Sequence, residues 1–159
     1  MHESEIPGVS DPWLVEQRWD LTYRHSADPV TSRFLQTLRD EGKLLGVRCP
    51  VCRRVLAPPR AMCDRDYCAT GEMVELGLQG MLELFTIMYL AVDGLPEPPY
   101  VLAYVRPEGA STAIPGVMHG VDLSSPAAAL EQLQIGRGVE IQVAAQRRGR
   151  ITDLSFALP

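Results

Sequence analysis

Cys49-Pro50-Val51-Cys52, followed ten residues later by Cys63-Asp64-Arg65-Asp66-Tyr67-Cys68, holds every cysteine of this 159-residue chain. Two close cysteine pairs joined by a short arm have the spacing of a tetrahedral all-thiolate metal site, each tight turn supplying two sulfurs. The arm, Arg53 to Met62, is long enough for a strand, a turn and a return. The stretch reads as a small zinc ribbon with Cys49, Cys52, Cys63 and Cys68 as ligands, and the rest of the chain as what the ribbon is attached to. Paired disulfides belong to oxidising compartments. Met1 to Ser10 carries His2, Glu3 and Glu5 with no apolar run after them, unlike a secretory signal, so the expected compartment is the cytoplasm. A redox Cys-x-x-Cys wants its second cysteine to open a helix. After Cys52 the chain instead runs Arg53-Arg54-Val55-Leu56-Ala57-Pro58-Pro59, a short extended piece stopped by prolines. Disulfides and redox chemistry stay as alternatives to the structural metal. Zinc is the default for four thiolates and rubredoxin-like iron the alternative, and the sequence leaves that choice open.

The totals bound the rest. The length allows one ordinary domain, or a small domain with appendages. An apolar content of 46% is ordinary for a globular protein. No apolar run reaches the roughly 18 residues of a membrane span, so no membrane association is expected. A net charge of −5 argues against a general nucleic-acid binder. The charge is uneven, however. From Arg39 to Asp66, seven basic side chains face four acidic ones, so the ribbon is locally basic. That excess serves either as a solvated surface or as attraction for a phosphate-bearing ligand or an acidic partner.

Taken in order, residues 1–27 form an irregular arm holding both tryptophans, Trp13 and Trp19. They are either interface anchors, which bury a large area at low entropy cost, or residues folded back on their own domain. Residues 28–69 read as a helix and the ribbon. Asp28-Pro29 starts the helix, Phe34, Leu35 and Leu38 give one narrow apolar stripe, and Gly42 stops it. Leu44 to Arg48 is a strand that delivers Cys49, and Val55 to Ala57 returns. Residues 70–159 read as a barrel. Met73 to Leu90 gives a strand, a bend at Gly77 and Gly80, and a longer strand. Strands follow over Tyr100 to Arg106, Ser111 to Met118, Gly138 to Ala145 and Ile151 to Leu158. Ser124-Ser125-Pro126 opens a short helix. The fold class is mainly β, a five-stranded OB-fold barrel preceded by an N-terminal helix and a zinc ribbon; a sandwich would want about seven strands.

A specific combination of segments then carries a resemblance. Gly42-Lys43-Leu44, Arg48-Cys49-Pro50-Val51-Cys52, Pro58-Pro59-Arg60 with Cys63, Leu84-Phe85-Thr86-Ile87 and Pro98-Pro99-Tyr100-Val101-Leu102-Ala103-Tyr104-Val105 are similar to the acyl-CoA-associated OB-fold family. That family carries a rubredoxin-like zinc ribbon before its barrel. Gly136-Arg137-Gly138-Val139-Glu140-Ile141 resembles its final strand pair, and the match runs from about Thr31 to Phe156. One departure stands out: the second cysteine pair has two residues more than Cys-x-x-Cys. The resemblance implies a non-catalytic subunit in a hetero-oligomer with a thiolase-like acyltransferase. The partner would carry the Claisen condensation or thiolysis of an acyl-CoA.

The residues agree in one respect, since no catalytic set is legible. The cysteines are taken by the metal, His2, His25 and His119 are scattered, and Ser111 and Ser124 have no base nearby in sequence. A CoA thioester shared with the partner carries phosphates, for which Lys43, Arg48 and Arg60 are the candidates. Two other functions compete. A nucleic-acid-binding module would use Phe85, Tyr89, Tyr100 and Tyr104 as stacking platforms, but Glu72 to Tyr104 contains no Lys or Arg to track a phosphate backbone. A rubredoxin-like electron carrier would need iron.

Overall fold

The computed structural model describes residues 15–16, 21 and 24–159. Trp13, Trp19 and His2, with the role expected for the arm, lie outside the described residues.

Helix α1 spans Pro29–Glu41. The Asp28 side chain accepts from the backbone N–H groups of Val30 (2.9 Å) and Thr31 (3.1 Å), an N-cap that stabilises a helix start by about 1 kcal/mol. Gly42 ends the helix in the left-handed region, at φ 70°, with its N–H donating to Leu38 O. Phe34 and Leu38 are buried and Leu35 packs beside them, while Arg33, Gln36, Arg39 and Asp40 are exposed, as the single apolar stripe requires.

Three strands follow: β1 (Leu44–Arg48), β2 (Val55–Leu56) and β3 (Met73–Leu76). They form one antiparallel sheet in the order β2-β1-β3. The sequence reading placed 73–76 with the barrel. The structure instead pairs Leu44 with Leu76 and Val47 with Met73, so β3 completes the ribbon sheet. With β2 on one edge and β3 on the other, β1 is the central strand of the ribbon, and its residues Leu44 to Val47 are all buried.

The barrel comprises β4 (Gln79–Met88), β5 (Tyr100–Pro107), β6 (Ile114–His119), β7 (Gly138–Val143) and β8 (Leu154–Ala157). It closes in the order β4-β5-β6-β8-β7, with β6 and β8 parallel. Helix α2 (Pro126–Gln132), capped by Ser125, lies between β6 and β7 in the chain. Five strands in this order form an OB-like barrel. Strand β6 starts later than expected because Ser111 and Thr112 bond to the ribbon instead of to a barrel strand. Pro115 is tolerated within β6 because β8 pairs only from Val117 onward, leaving that side of the strand free at the proline. The last strand begins at Leu154, because Ile151–Asp153 makes a 3₁₀ turn.

One continuous hydrophobic core joins the parts. Phe34 and Leu38 of α1, Leu44, Val55 and Leu76 of the ribbon, and Leu82, Val105, Ile141 and Phe156 of the barrel belong to the same buried cluster. Two polar latches fasten it. Val55 N donates to Ser111 Oγ (3.2 Å) and Ala57 N to Thr112 Oγ1 (2.7 Å), tying the β5–β6 loop to β2. Arg147 Nε donates to Arg39 O at 2.8 Å, tying the β7–β8 turn to α1. No helix among the described residues is long and apolar enough to cross a membrane.

Candidate metal centre

The ribbon is built from one turn used twice. In the first, Cys49 N donates to Arg54 O (2.9 Å), Arg53 N donates to Cys49 O (3.1 Å), and Arg53 takes a left-handed φ of 65°. In the second, Cys63 N donates to Cys68 O (2.9 Å), Tyr67 N donates to Cys63 O (3.1 Å), and Tyr67 takes φ 50°. The pairing that frames each turn repeats as well, Arg48 with Val55 and Met62 with Ala69. Every one of these correspondences is a shift of fourteen residues, the interval from Cys49 to Cys63. Such a turn aims side chains from its first and fourth positions at one point, which is why paired knuckles make metal sites.

The four cysteines converge without disulfides. Cys49 Sγ lies 3.6 Å from Cys68 Sγ, and Cys52 Sγ lies 3.7 Å from Cys63 Sγ. Zinc–sulfur bonds of about 2.3 Å directed to the corners of a tetrahedron put sulfurs about 3.8 Å apart, so the spacing suits a bound cation. Cys49 and Cys63 are buried.

The sequence reading passed over Asp66. Its Oδ2 lies 3.3 Å from Cys49 Sγ and 3.5 Å from Cys63 Sγ. Ligand atoms of Cys49, Cys52, Cys63 and Asp66 all fall within 4.8 Å of one another. Hydrogen bonding to this carboxylate pushes the Cys52 thiol up to about 12. The same contact, with weaker ones from Cys49 and Cys63, holds Asp66 below the ordinary carboxylate range. A divalent cation takes the place of those thiol protons when it binds. The signal for Asp66 was present in the spacing, since Cys63-x-x-Asp66 repeats Cys49-x-x-Cys52.

The three candidate phosphate-binding cations are each placed beside acids. Lys43 Nζ sits 3.2 Å from Glu41 and 3.3 Å from Glu75. Arg48 Nε is 3.7 Å from Glu72, and Arg60 Nη1 is 3.8 Å from Asp64. Glu72 and Glu75 come from beyond the basic window of the sequence, so folding offsets much of its charge excess. Lys43 and Arg48 flank β1 at opposite ends, roughly 16 Å apart along a strand.

A separate apolar groove of about 390 Å³ opens on the barrel, between residues 94–96 and the β6–β8 side. Leu95, Leu102, Pro115, Val117 and Ile151 line it, with His119 exposed at its rim and no Lys or Arg among its lining residues. Ser111, which has no base nearby in sequence, accepts from Val55 N in the latch to the ribbon.

Residues 37–74 match the family model described as ChsH2, rubredoxin-like zinc ribbon domain, so the ribbon expected from the cysteine spacing is present and of the rubredoxin-like kind. No curated protein matches the chain. Among solved structures, the chain is similar to one of the Ltp2-ChsH2(DUF35) aldolase, at 20% identity and a TM-score of 0.61. That alignment covers 85% of this chain and 98% of the other. It is also similar to a protein of unknown function from the DUF35 family of Sulfolobus solfataricus, at 18% identity and a TM-score of 0.60, covering 83% and 87% respectively. At these identities the likeness is one of fold.

Proposed function

Since the chain carries a rubredoxin-like zinc ribbon of the ChsH2 type joined to an OB-like barrel, we propose that it is the non-catalytic subunit of a thiolase-type acyl-CoA acyltransferase complex. In this role it stabilises a thiolase-like partner and helps form the acyl-CoA site, while the partner performs Claisen condensation or thiolysis. The observation that carries the reading is the likeness, over 85% of the chain, to a structure whose name joins ChsH2 to a second protein, Ltp2, in one enzyme. Zinc is the metal this reading assigns to the ribbon, where it acts as a clip and takes no part in the reaction.

Two surfaces support the proposal. On the outer face of β4 and β5, Leu84 (58% exposed) is paired across the strands with Tyr104 (41% exposed), an apolar patch suited to a partner. The groove beside Leu95 and Val117 is apolar and of a volume usual for small-ligand sites, so it suits an acyl chain better than a phosphate. For the CoA phosphates, Lys43, Arg48 and Arg60 remain the proposed contacts, at the cost of exchanging their present acidic neighbours. The same reading assigns the arm of residues 1–27 to the partner interface, residues 28–76 to the helix and ribbon with β3 included, and residues 79–159 to the barrel, in a cytoplasmic complex.

The description of that structure as an aldolase favours a second reading of the partner's chemistry. Here the subunit role is unchanged, and the partner cleaves a β-hydroxyacyl-CoA by a retro-aldol step. The two readings separate on stoichiometry. Thiolysis consumes one free CoA and yields two thioesters, whereas retro-aldol cleavage consumes none and yields one thioester and one carbonyl compound.

The test is co-expression of the full chain with a thiolase-like protein encoded beside it. Co-purification at fixed stoichiometry, with acyl-CoA turnover only in the complex, is the expected result. Full turnover by the chain alone would overturn the proposal.

A further inference from the structure

The repeat of the ribbon turn assigns its positions different jobs. In the first turn the fourth position, Cys52, sends its sulfur to the centre, 3.7 Å from Cys63 Sγ. The sixth position, Arg54, closes the turn through its carbonyl and sends its guanidinium out to Asp64, at 3.1 Å. Fourteen residues on, the fourth position is Asp66 and the sixth is Cys68. Cys68 does what Arg54 does, its carbonyl accepting from Cys63 N at 2.9 Å. Asp66 does what Cys52 does, its carboxylate oxygen standing 3.3 Å and 3.5 Å from the sulfurs of Cys49 and Cys63.

We propose that the ribbon metal is held by three thiolates and one carboxylate, from Cys49, Cys52, Cys63 and Asp66, with Cys68 outside the ligand set. The inference rests on reading the ribbon as a metal site and replaces the all-cysteine set that spacing alone had indicated. Three lines converge on it: the backbone bonds of the two turns, the left-handed residue that follows the fourth position in each, and the mutual reach of the four ligand atoms. A carboxylate oxygen is a ligand zinc accepts, at about 2.0–2.2 Å, and it leaves the charge of the filled site the same as four thiolates would. It is a harder donor than sulfur and disfavours the soft cations that a tetrathiolate holds well. Cys68, 3.6 Å from Cys49 Sγ, lies against the ligand shell as a neighbouring thiol.

Zinc X-ray absorption on the full chain counts the donors directly. Three sulfurs at about 2.3 Å and one oxygen at about 2.0–2.2 Å are expected, and four sulfurs would overturn the proposal. Cobalt substitution gives a second measure, because sulfur-to-cobalt charge transfer grows with each thiolate bound. Cys68→Ser is expected to keep the wild-type charge-transfer intensity, and Asp66→Ala to bind cobalt at least about tenfold more weakly. Combining Asp66→Cys with Cys68→Ser should raise the intensity by about a third, as a fourth thiolate joins three. A loss of about a quarter in Cys68→Ser, with Asp66→Ala unchanged in affinity, would assign the fourth position to Cys68 instead. A wild-type chain that takes up neither zinc nor cobalt would overturn the metal reading itself. One that binds zinc through four sulfurs overturns this inference alone.

Discussion

Asp153 shows how one side chain fixes a turn and, through it, a contact across the molecule. It is 7% exposed, and its Oδ2 accepts from the backbone N–H groups of Arg148 (2.8 Å), Gly149 (2.7 Å) and Arg150 (3.0 Å). Desolvation pushes the carboxyl up, but these N–H groups outweigh it and hold Asp153 below its ordinary 3.8. Asp153→Ala strands three donors and is expected to cost about 2–3 kcal/mol, read by urea unfolding at neutral pH. A carboxyl that titrates lower when folded gives its full stability above the unfolded value and loses it as pH falls through the folded one. The gap between wild type and variant should therefore narrow only below about pH 3.8, and a gap that narrows between pH 5 and 7 would contradict this account. Residues 146–150 carry three arginines and a glycine between two strands, but nothing in that sequence marks Asp153 as the residue that organises the turn. That role exists only once three amides converge on one oxygen. Asp66 differs, because its role was legible from spacing and was obscured by the cysteine two residues later.

Among elements, those with local signals were legible and those defined by a partner were not. Helix α1 announces itself through Asp28, the Phe34–Leu38 stripe and Gly42, and β7 through its alternation. Strand β3 has the composition of a barrel strand, and only register against β1 shows that it belongs to the ribbon. Its assignment shapes the outcome for Cys52→Ser. Metal release should loosen β1, β2 and β3 together, so hydrogen exchange should accelerate across residues 44–76 while β5 and β7 keep their protection. Protection that survives in β3 but not β1 would show that the sheet is not one unit. Inside the barrel, a Cβ placed on Gly80 would stand 2.6 Å from Val105 Cγ1 and 2.9 Å from the backbone oxygen of Arg106. Gly80→Ala is thus expected to destabilise by about 1–3 kcal/mol in chemical denaturation, since backbone cannot step aside as a flexible side chain can. The latch at Thr112 belongs to the same scale. Thr112→Ala leaves Ala57 N without its 2.7 Å acceptor and should cost about 1–3 kcal/mol, with Thr112→Ser recovering most of it.

At the scale of the whole molecule, the join between ribbon and barrel is short. Strand β3 ends at Leu76 and β4 begins at Gln79, so only Gly77 and Leu78 separate the two sheets. The sequence read the glycines there as a bend within one run of strands, while the structure makes the bend the passage between two bodies. The Ser111–Val55 contact and the shared core close the same joint from the other side. Such a joint leaves no hinge. A partner that grips the ribbon also aims the barrel, and the groove beside Leu95 arrives at the partner's surface already oriented. A metal bound among Cys49, Cys52 and Cys63 would then be the fulcrum of a lever: its loss would be felt as misalignment at the far end before any barrel strand came apart.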